Sequence, residues 1–302
     1  MILAGMGNSG KKFLRCKLTL SFRERVTEEM ASIDVEALAR ELMSAYEKGE
    51  MVSAPPSSQP GFDLDTAYAV EAKLKQWRGV AGHKAVGRKV GYGNKAMWRI
   101  LKLETLVWGH MYADTVHQSN DNSARLTVKH PRSLKIEPEI VFGLKDRVTL
   151  SGLDAAATLA LVDWLAVGFE IIDCPYPEWK FQPSDFVASF GLHAALVIGE
   201  RVKVQLAMIP KLVEELTKFR VRMLKNGEFV EEGSGKNALR SPALCLAELG
   251  AAIAKRFPDE PLSGGEIVST GTLTAGHLTK AGDRWTAEVE GIELTALTLA
   301  LG

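Results

Sequence analysis

The chain has 302 residues, 46% hydrophobic and 25% charged, with 37 basic and 37 acidic side chains. That charge balance excludes a surface built mainly for nucleic acid or anionic membrane, and the length suffices for a substantial core in one large domain or two small lobes. The three cysteines (Cys16, Cys174, Cys245) share no C-x-x-C spacing and build neither a disulfide framework nor a zinc site, which points to a reducing cytoplasm. No apolar run reaches the length of a membrane span; the most hydrophobic stretch, 155–172, is broken by Asp163 and Glu170.

Residues 1–29 carry small and charged residues without periodicity, and Lys11, Lys12 and Arg15 follow the short apolar start, the reverse of a secretory signal. They read as a disordered or artefactual leader. Residues 30–120 read as an N-terminal helical and β region, and 121–302 as a C-terminal β-roll catalytic region, the two making one continuous functional unit. Ser32 and Asp34 offer N-caps for a helix whose Val35, Leu38, Leu42 and Tyr46 recur at helical spacing until Gly49. A Pro/Ser linker (54–61) leads to a second helix, capped by Asp63 or Asp65, with Ala67, Val70, Leu74 and Trp77 on one face. Residues 85–92 read as a strand whose lone Lys89 sits between apolar neighbours and 94–101 as a short helix, and 107–116 lead into a hairpin-like region ending near Val128.

The central stretch, 134–175, puts carboxylates inside apolar sequence, where ionised groups are costly unless compensated. On a strand, Glu137 and Glu139 at i and i+2 share a face. Pro138 between them cannot donate a ladder hydrogen bond, which predicts an edge or bulged strand, open on one side. Glu170 follows an amphipathic crossover, flanked by Phe169, Ile171 and Ile172. Three converging carboxylates with no interleaved base would repel one another, and a hard divalent cation resolves that repulsion. The same spacing also fits a solvated strand face, with Glu170 paired to a distant base. Further on, 186–198 mixes strand-formers with Gly191, Asn226-Gly227 marks a hairpin, Ser241-Pro242 opens a helix, and strands dominate from Glu266 to the end. Early helices followed by a strand-rich second half predict an α+β fold with a mixed, rolled β core.

Several short motifs stand in a specific order: Val86-Gly-Arg-Lys89-Val-Gly91, Trp108-Gly109, His130-Pro131-Arg132, Glu137-Pro-Glu139, Phe169-Glu170-Ile-Ile-Asp173, and Gly265 to Leu273 with Ala281-Gly-Asp283. On these, the chain from about Met30 onward resembles the 2-keto-4-pentenoate hydratase and 4-oxalocrotonate decarboxylase family, a branch of the fumarylacetoacetate hydrolase-like superfamily. The resemblance implies that superfamily's mixed β-roll with a small helical N-terminal region. It implies Mg²⁺ or Mn²⁺ held by Glu137, Glu139 and Glu170, with a small-molecule 2-oxo acid chelating the ion. Lys89 matches the family's active-site lysine, acting through a depressed pKa or as a fixed cation; a buried ion pair with one of the same glutamates is the structural alternative. Thr272 matches a loop that contacts a substrate carboxylate, or else serves a tight turn.

This chain has Val107-Trp108-Gly109 where hydratases of the family tend to have Asp before the aromatic residue, and Ala188-Ser189-Phe190 where Ala-Asp-Asn is usual. Val107, Trp108 and Ser189 therefore join Thr272 as expected substrate contacts, with Val107 and Phe190 drying the pocket. His193 reads either as a replacement acid or base or as a structural hydrogen-bonder. The expected activity is a metal-dependent lyase of aromatic catabolism that decarboxylates a 2-oxo-3-hexenedioate (4-oxalocrotonate)-type substrate. The alternatives are hydration of 2-hydroxypentadienoate, C–C bond hydrolysis of a 2,4-dioxo acid, and a non-catalytic partner subunit. A cytoplasmic homo-oligomer, with a related hydratase or decarboxylase subunit as a second partner, completes the expectation.

Overall fold

The computed structural model describes residues 33–148 and 152–302, and the expected leader (1–29) and the Ser32 cap lie outside the described residues. Ile33–Gly302 form one compact unit. Helix α1 (Val35–Lys48) starts where the Asp34 carboxylate accepts the backbone N–H groups of Glu36 and Ala37, and it ends at Gly49, whose φ of 67° supplies the left-handed closing residue. Helix α2 (Leu64–Val80) is capped by Asp63 and buries Ala67, Tyr68, Val70 and Leu74.

The chain then runs through β1 (Ala85–Gly91), α3 (Lys95–Leu101), β2 (Val107–Tyr112), β3 (Val116–Gln118), β4 (Ser123–Leu126) and the long β5 (Leu134–Leu144). After α4 (Ala155–Leu159) come β6 (Val162–Asp173), α5 (Pro183–Ala188), β7 (His193–Ile198) and β8 (Val202–Lys203). Next are α6 (Ile209–Lys218), β9 (Arg220–Lys225), β10 (Glu228–Ser234), α7 (Pro242–Arg256), β11 (Ile267–Ser269), β12 (His277–Thr279), β13 (Arg284–Glu290) and β14 (Leu297–Leu301).

Among the described residues, nine strands form one mixed sheet in the order β2-β1-β11-β5-β6-β7-β3, with β12 also on β5 and β8 also on β6. Five more form a second sheet, β10-β9-β13-β14-β4. Strands from before and after residue 120 thus share the nine-stranded sheet, while the five-stranded sheet comes wholly from residues after 120. The β9–β10 hairpin turns at Asn226-Gly227, both at positive φ as a two-residue turn requires. The α+β roll expected from the sequence is what forms.

Four local expectations change. The region ending near Val128 forms no hairpin, because β3 pairs with β7 and β4 with β14. β5 is an interior strand, paired with β6 along its length and with β11 and β12 on the other side. Pro138 is tolerated because it falls between the β11 and β12 pairings, where its carbonyl accepts the Leu273 N–H at 2.9 Å. β6 returns antiparallel to β5, so no parallel crossover precedes Glu170. Residues 183–188 are helix α5, and the strand begins only at His193, after a tight turn with φ of 56°, 61° and 56° at Phe190, Gly191 and Leu192.

Candidate active site

Pairing of β5 with β6 sets Glu137 directly opposite Glu170, and Glu139 lies two residues along β5 on the same face. Like charges across an antiparallel pair destabilise it, yet Glu139 and Glu170 are fully buried. One ligand oxygen from each of the three carboxylates lies within 4.8 Å of the other two. Each acid is held differently. Glu170 Oε2 is 2.9 Å from Lys89 Nζ, and Glu170 Oε1 is 3.0 Å from His193 Nδ1. Glu139 Oε2 accepts the Ser269 hydroxyl and, at 2.8 Å, the Gly271 N–H. Glu139 Oε1 is buried with no hydrogen-bond partner among the described residues.

The protonation tendencies follow from these surroundings. Burial pushes Glu137 up to about 7, against the pull of Lys89 and with Glu170 adding to the rise. Burial also holds Glu139 well above the ordinary carboxylate range, reinforced by the charges of Glu170 and Glu137. Glu170 sits below its ordinary value despite burial, because Lys89 and His193 stabilise its charge. Burial by itself would lower Lys89, but Glu170, Glu137 and Glu139 together hold it above its ordinary value. Of the readings open for Lys89, the depressed pKa is not met, and the buried ion pair with one of the glutamates is.

Lys89 reaches this position because β1 lies beside β11, in register with the small Ser269. The turn at Phe190-Gly191-Leu192 covers Lys89: a β-carbon on Gly191 would come within 2.8 Å of Lys89 Cδ, and the Phe186 ring lies 4.7 Å from Nζ.

A cavity of about 540 Å³ opens onto this cluster. Lys89, Lys135, Glu137 and Glu231 supply its charge, while Ile172, Trp179, Phe181, Phe186 and Leu192 supply apolar wall. Thr272 lines it too, while its hydroxyl donates to the Thr274 carbonyl at 2.9 Å, so the residue is both wall and turn. Three expected contacts are not brought to the cavity. Trp108 lies on the opposite face of β2, its ring 4.6 Å from Tyr68 and 6.2 Å from Phe257. Val107 borders a separate hollow with Trp108, Ala252 and Arg256. Ser189 is buried at the end of α5, hydrogen-bonded to the Tyr176 hydroxyl at 2.6 Å. The side chains that dry the cavity are thus Ile172, Phe181 and Phe186, not Val107 and Phe190.

Lys135, Trp179 and Glu231 also line the cavity, and no sequence motif marks them. Lys135 was within reach of the alternation that joins Glu137 to Glu139, one step earlier on β5. Trp179 and Glu231 arrive from segments whose approach only the tertiary fold determines.

Residues 81–299 match the fumarylacetoacetate (FAA) hydrolase C-terminal family, and the chain belongs to that family. Its relatives narrow the likeness to the hydratases and decarboxylases. The chain is 29% identical over 220 residues to a 2-hydroxypent-2,4-dienoate hydratase of Pseudomonas putida, covering 71% of this chain and 93% of the relative. It is 28% identical over 258 residues to a 4-oxalocrotonate decarboxylase of Pseudomonas sp. (strain CF600), covering 85% and 93%. Among solved structures, the 4-oxalocrotonate decarboxylase from Pseudomonas putida G7, complexed with magnesium and adipate, superposes with a TM-score of 0.79 at 25% identity, covering 89% of this chain and 97% of that one. The family and fold read from the sequence motifs are those found.

Proposed function

We propose that the chain is a divalent-metal-dependent lyase that decarboxylates a short unsaturated 2-oxo diacid of the 2-oxo-3-hexenedioate type. One observation carries the metal: three carboxylates converge, with Glu139 Oε1 buried and without a hydrogen-bond partner among the described residues. A buried carboxylate oxygen without a donor is costly, and hard oxygen donors in this number suit Mg²⁺ or Mn²⁺. Glu137, Glu139 and Glu170 would hold the ion, which when bound supplies Lewis-acid polarisation to the carboxylate and C2 oxygen of a 2-oxo acid.

The remaining groups are the protein's own. Lys89 Nζ carries a proton beside Glu170 and lines the cavity, which suits it to hand that proton to developing negative charge on the substrate. Ile172, Phe181, Phe186 and Leu192 exclude water from the carbon chain. In the reaction the C5–C6 bond breaks, CO₂ leaves, and its electron pair passes through the conjugated carbons to the C2 oxygen, which takes a proton. A dry wall favours that step because neutral CO₂ replaces a carboxylate.

Hydration of 2-hydroxypenta-2,4-dienoate is the second reading, and Glu231 favours it. This carboxylate also lines the cavity, 2.8 Å from His277 Nε2, a place from which it could activate water. The relatives' names include both activities. The test is incubation with Mg²⁺ and either substrate, following CO₂ and 4-hydroxy-2-oxo acid separately. CO₂ from the diacid is expected; efficient hydration of the dienoate with no CO₂ from the diacid would refute decarboxylation. Assembly as a homo-oligomer, alone or with a related subunit, and residence in the cytoplasm belong to the same proposal. No described helix is long and apolar enough to cross a membrane.

A further inference from the structure

We propose that Lys135 is the specificity-determining cation of the cavity: it receives a second, distal carboxylate, and so selects 2-oxo diacids over 2-oxo monoacids. The inference rests on the metal-site reading above and adds to it the far end of the substrate. Lys135, Glu137 and Glu139 alternate on β5, so Lys135 continues the carboxylate face by one step of two residues, about 7 Å along the strand. Its cross-strand partner is Ile172, as Glu170 is that of Glu137, and all but the two buried acids line the one cavity.

The two lysines there have different duties. Lys89 is 2% exposed and committed to Glu170. Lys135 Nζ instead lies 4.0 Å from the Trp179 ring centroid, and among the described residues no carboxylate forms an ion pair with it. Trp179 is itself fixed by its indole N–H, which donates to Ser133 Oγ at 2.8 Å. An ammonium held on an aromatic face keeps its charge available while its stem stays ordered.

The dimensions and the opposing charge both fit. An extended six-carbon diacid separates its terminal carbons by about 6 Å, from ordinary bond lengths and angles. A chain anchored by its 2-oxo acid end at the carboxylate cluster would lie along the apolar wall of Ile172, Phe181, Phe186 and Leu192 and end near Lys135. A five-carbon monoacid offers that ammonium nothing. Glu231 also faces the cavity, but its Oε2 is already taken by His277 Nε2 at 2.8 Å and the Ala275 N–H at 3.0 Å, which reduces its repulsion of a second anion.

The distal carboxylate is also the group lost as CO₂, so the ion pair with Lys135 belongs to the bound substrate and vanishes as the reaction proceeds. Such an interaction tightens binding without raising kcat.

Calorimetric titration of the Mg²⁺-loaded protein with 2-oxoadipate and with 2-oxohexanoate tests this. Wild type is expected to bind the diacid at least tenfold more tightly. Lys135→Gln should erase that preference while leaving 2-oxohexanoate within about twofold, and Lys135→Arg should restore most of it; a charge-assisted hydrogen bond is of the right strength for such a change. In steady state on the unsaturated diacid, Lys135→Gln should raise KM tenfold or more with kcat held or increased. Equal binding of the two ligands by wild type, or a preference that survives in Lys135→Gln, overturns the inference alone. Failure of either ligand to bind in a Mg²⁺-dependent way overturns the metal-site reading and this inference with it.

Discussion

Unlike most acids of a folded protein, Glu137 and Glu139 are pushed upward, so the metal-free protein should lose stability as pH rises. A group whose folded pKa is raised stabilises the fold fully below its unfolded pKa, and that stabilisation disappears as pH rises through the folded value. Glu137 moves from 4.5 to about 7. At 1.36 kcal/mol per pKa unit, about 3 kcal/mol is lost across that window, about 2 kcal/mol of it between pH 5.5 and 8. Glu139, also raised, adds in the same direction. Glu170, held low, and Lys89, held high, keep their charges throughout this range and contribute no slope. His117, which burial and His193 hold below its ordinary value, works in the opposite sense.

The comparison that isolates Glu137 is therefore wild type against Glu137→Gln, each unfolded thermally in EDTA at pH 5.5 and 8. At 2–4 °C per kcal/mol, wild type should lose roughly 4–8 °C more than the variant over that interval. Saturating Mg²⁺ should abolish most of the difference, because the ion binds deprotonated ligands; a hundredfold excess over the dissociation constant adds about 2.7 kcal/mol to wild type. Equal losses in wild type and Glu137→Gln would refute the account of the carboxylate cluster.

Ser269→Ala removes one of two donors to Glu139 Oε2, and Mg²⁺ affinity measured by calorimetry should fall about 10- to 100-fold. Trp108→Ala should cost about 3–5 kcal/mol of stability in urea unfolding, as a buried aromatic does, yet leave KM unchanged because the ring faces away from the cavity. A shift in KM would mean that Trp108 does reach the substrate.

The parts of the site visible in the sequence are those governed by strand alternation. Glu137 and Glu139 share a face because they are two residues apart, and Lys89 interrupts an apolar strand. What alternation leaves open is which element covers a face. Val107 is two residues from Gly109, the β2 partner of Lys89, and so shares the lysine's face, but α5 and the turn after it pack there. Trp108, on the other face, meets α2 and the end of α7. Pro138 correctly marks a break in the ladder, but the rule for edges cannot distinguish an outer strand from an interior one whose neighbours on that side are two short strands with a gap between them. The Phe190-Gly191-Leu192 turn is hidden for a different reason. Two of its three left-handed residues are large and apolar, types that avoid positive φ, so its conformation comes from tertiary packing against β1 and β2.

The compensation of charge within the cluster explains why a divalent ion, and not a second lysine, suits it. Lys89 answers one carboxylate, Glu170, at 2.9 Å. Among the described residues Glu137 and Glu139 have no ion pair of their own, and burial without one raises their pKa values. A second lysine would be a single charge on a flexible stem, and it would satisfy one acid while filling the space a substrate needs. An ion carrying two positive charges answers both remaining carboxylates at once and keeps coordination positions for a ligand from outside. The donors around Glu139 fit this division. Ser269 and the Gly271 N–H hold Oε2, which leaves Oε1 as the oxygen of Glu139 without a hydrogen-bond partner among the described residues. Replacing Ser269 should then weaken the ion before it weakens the fold, since the hydroxyl holds the carboxylate of a proposed metal ligand while the sheet around it is held by its own ladder.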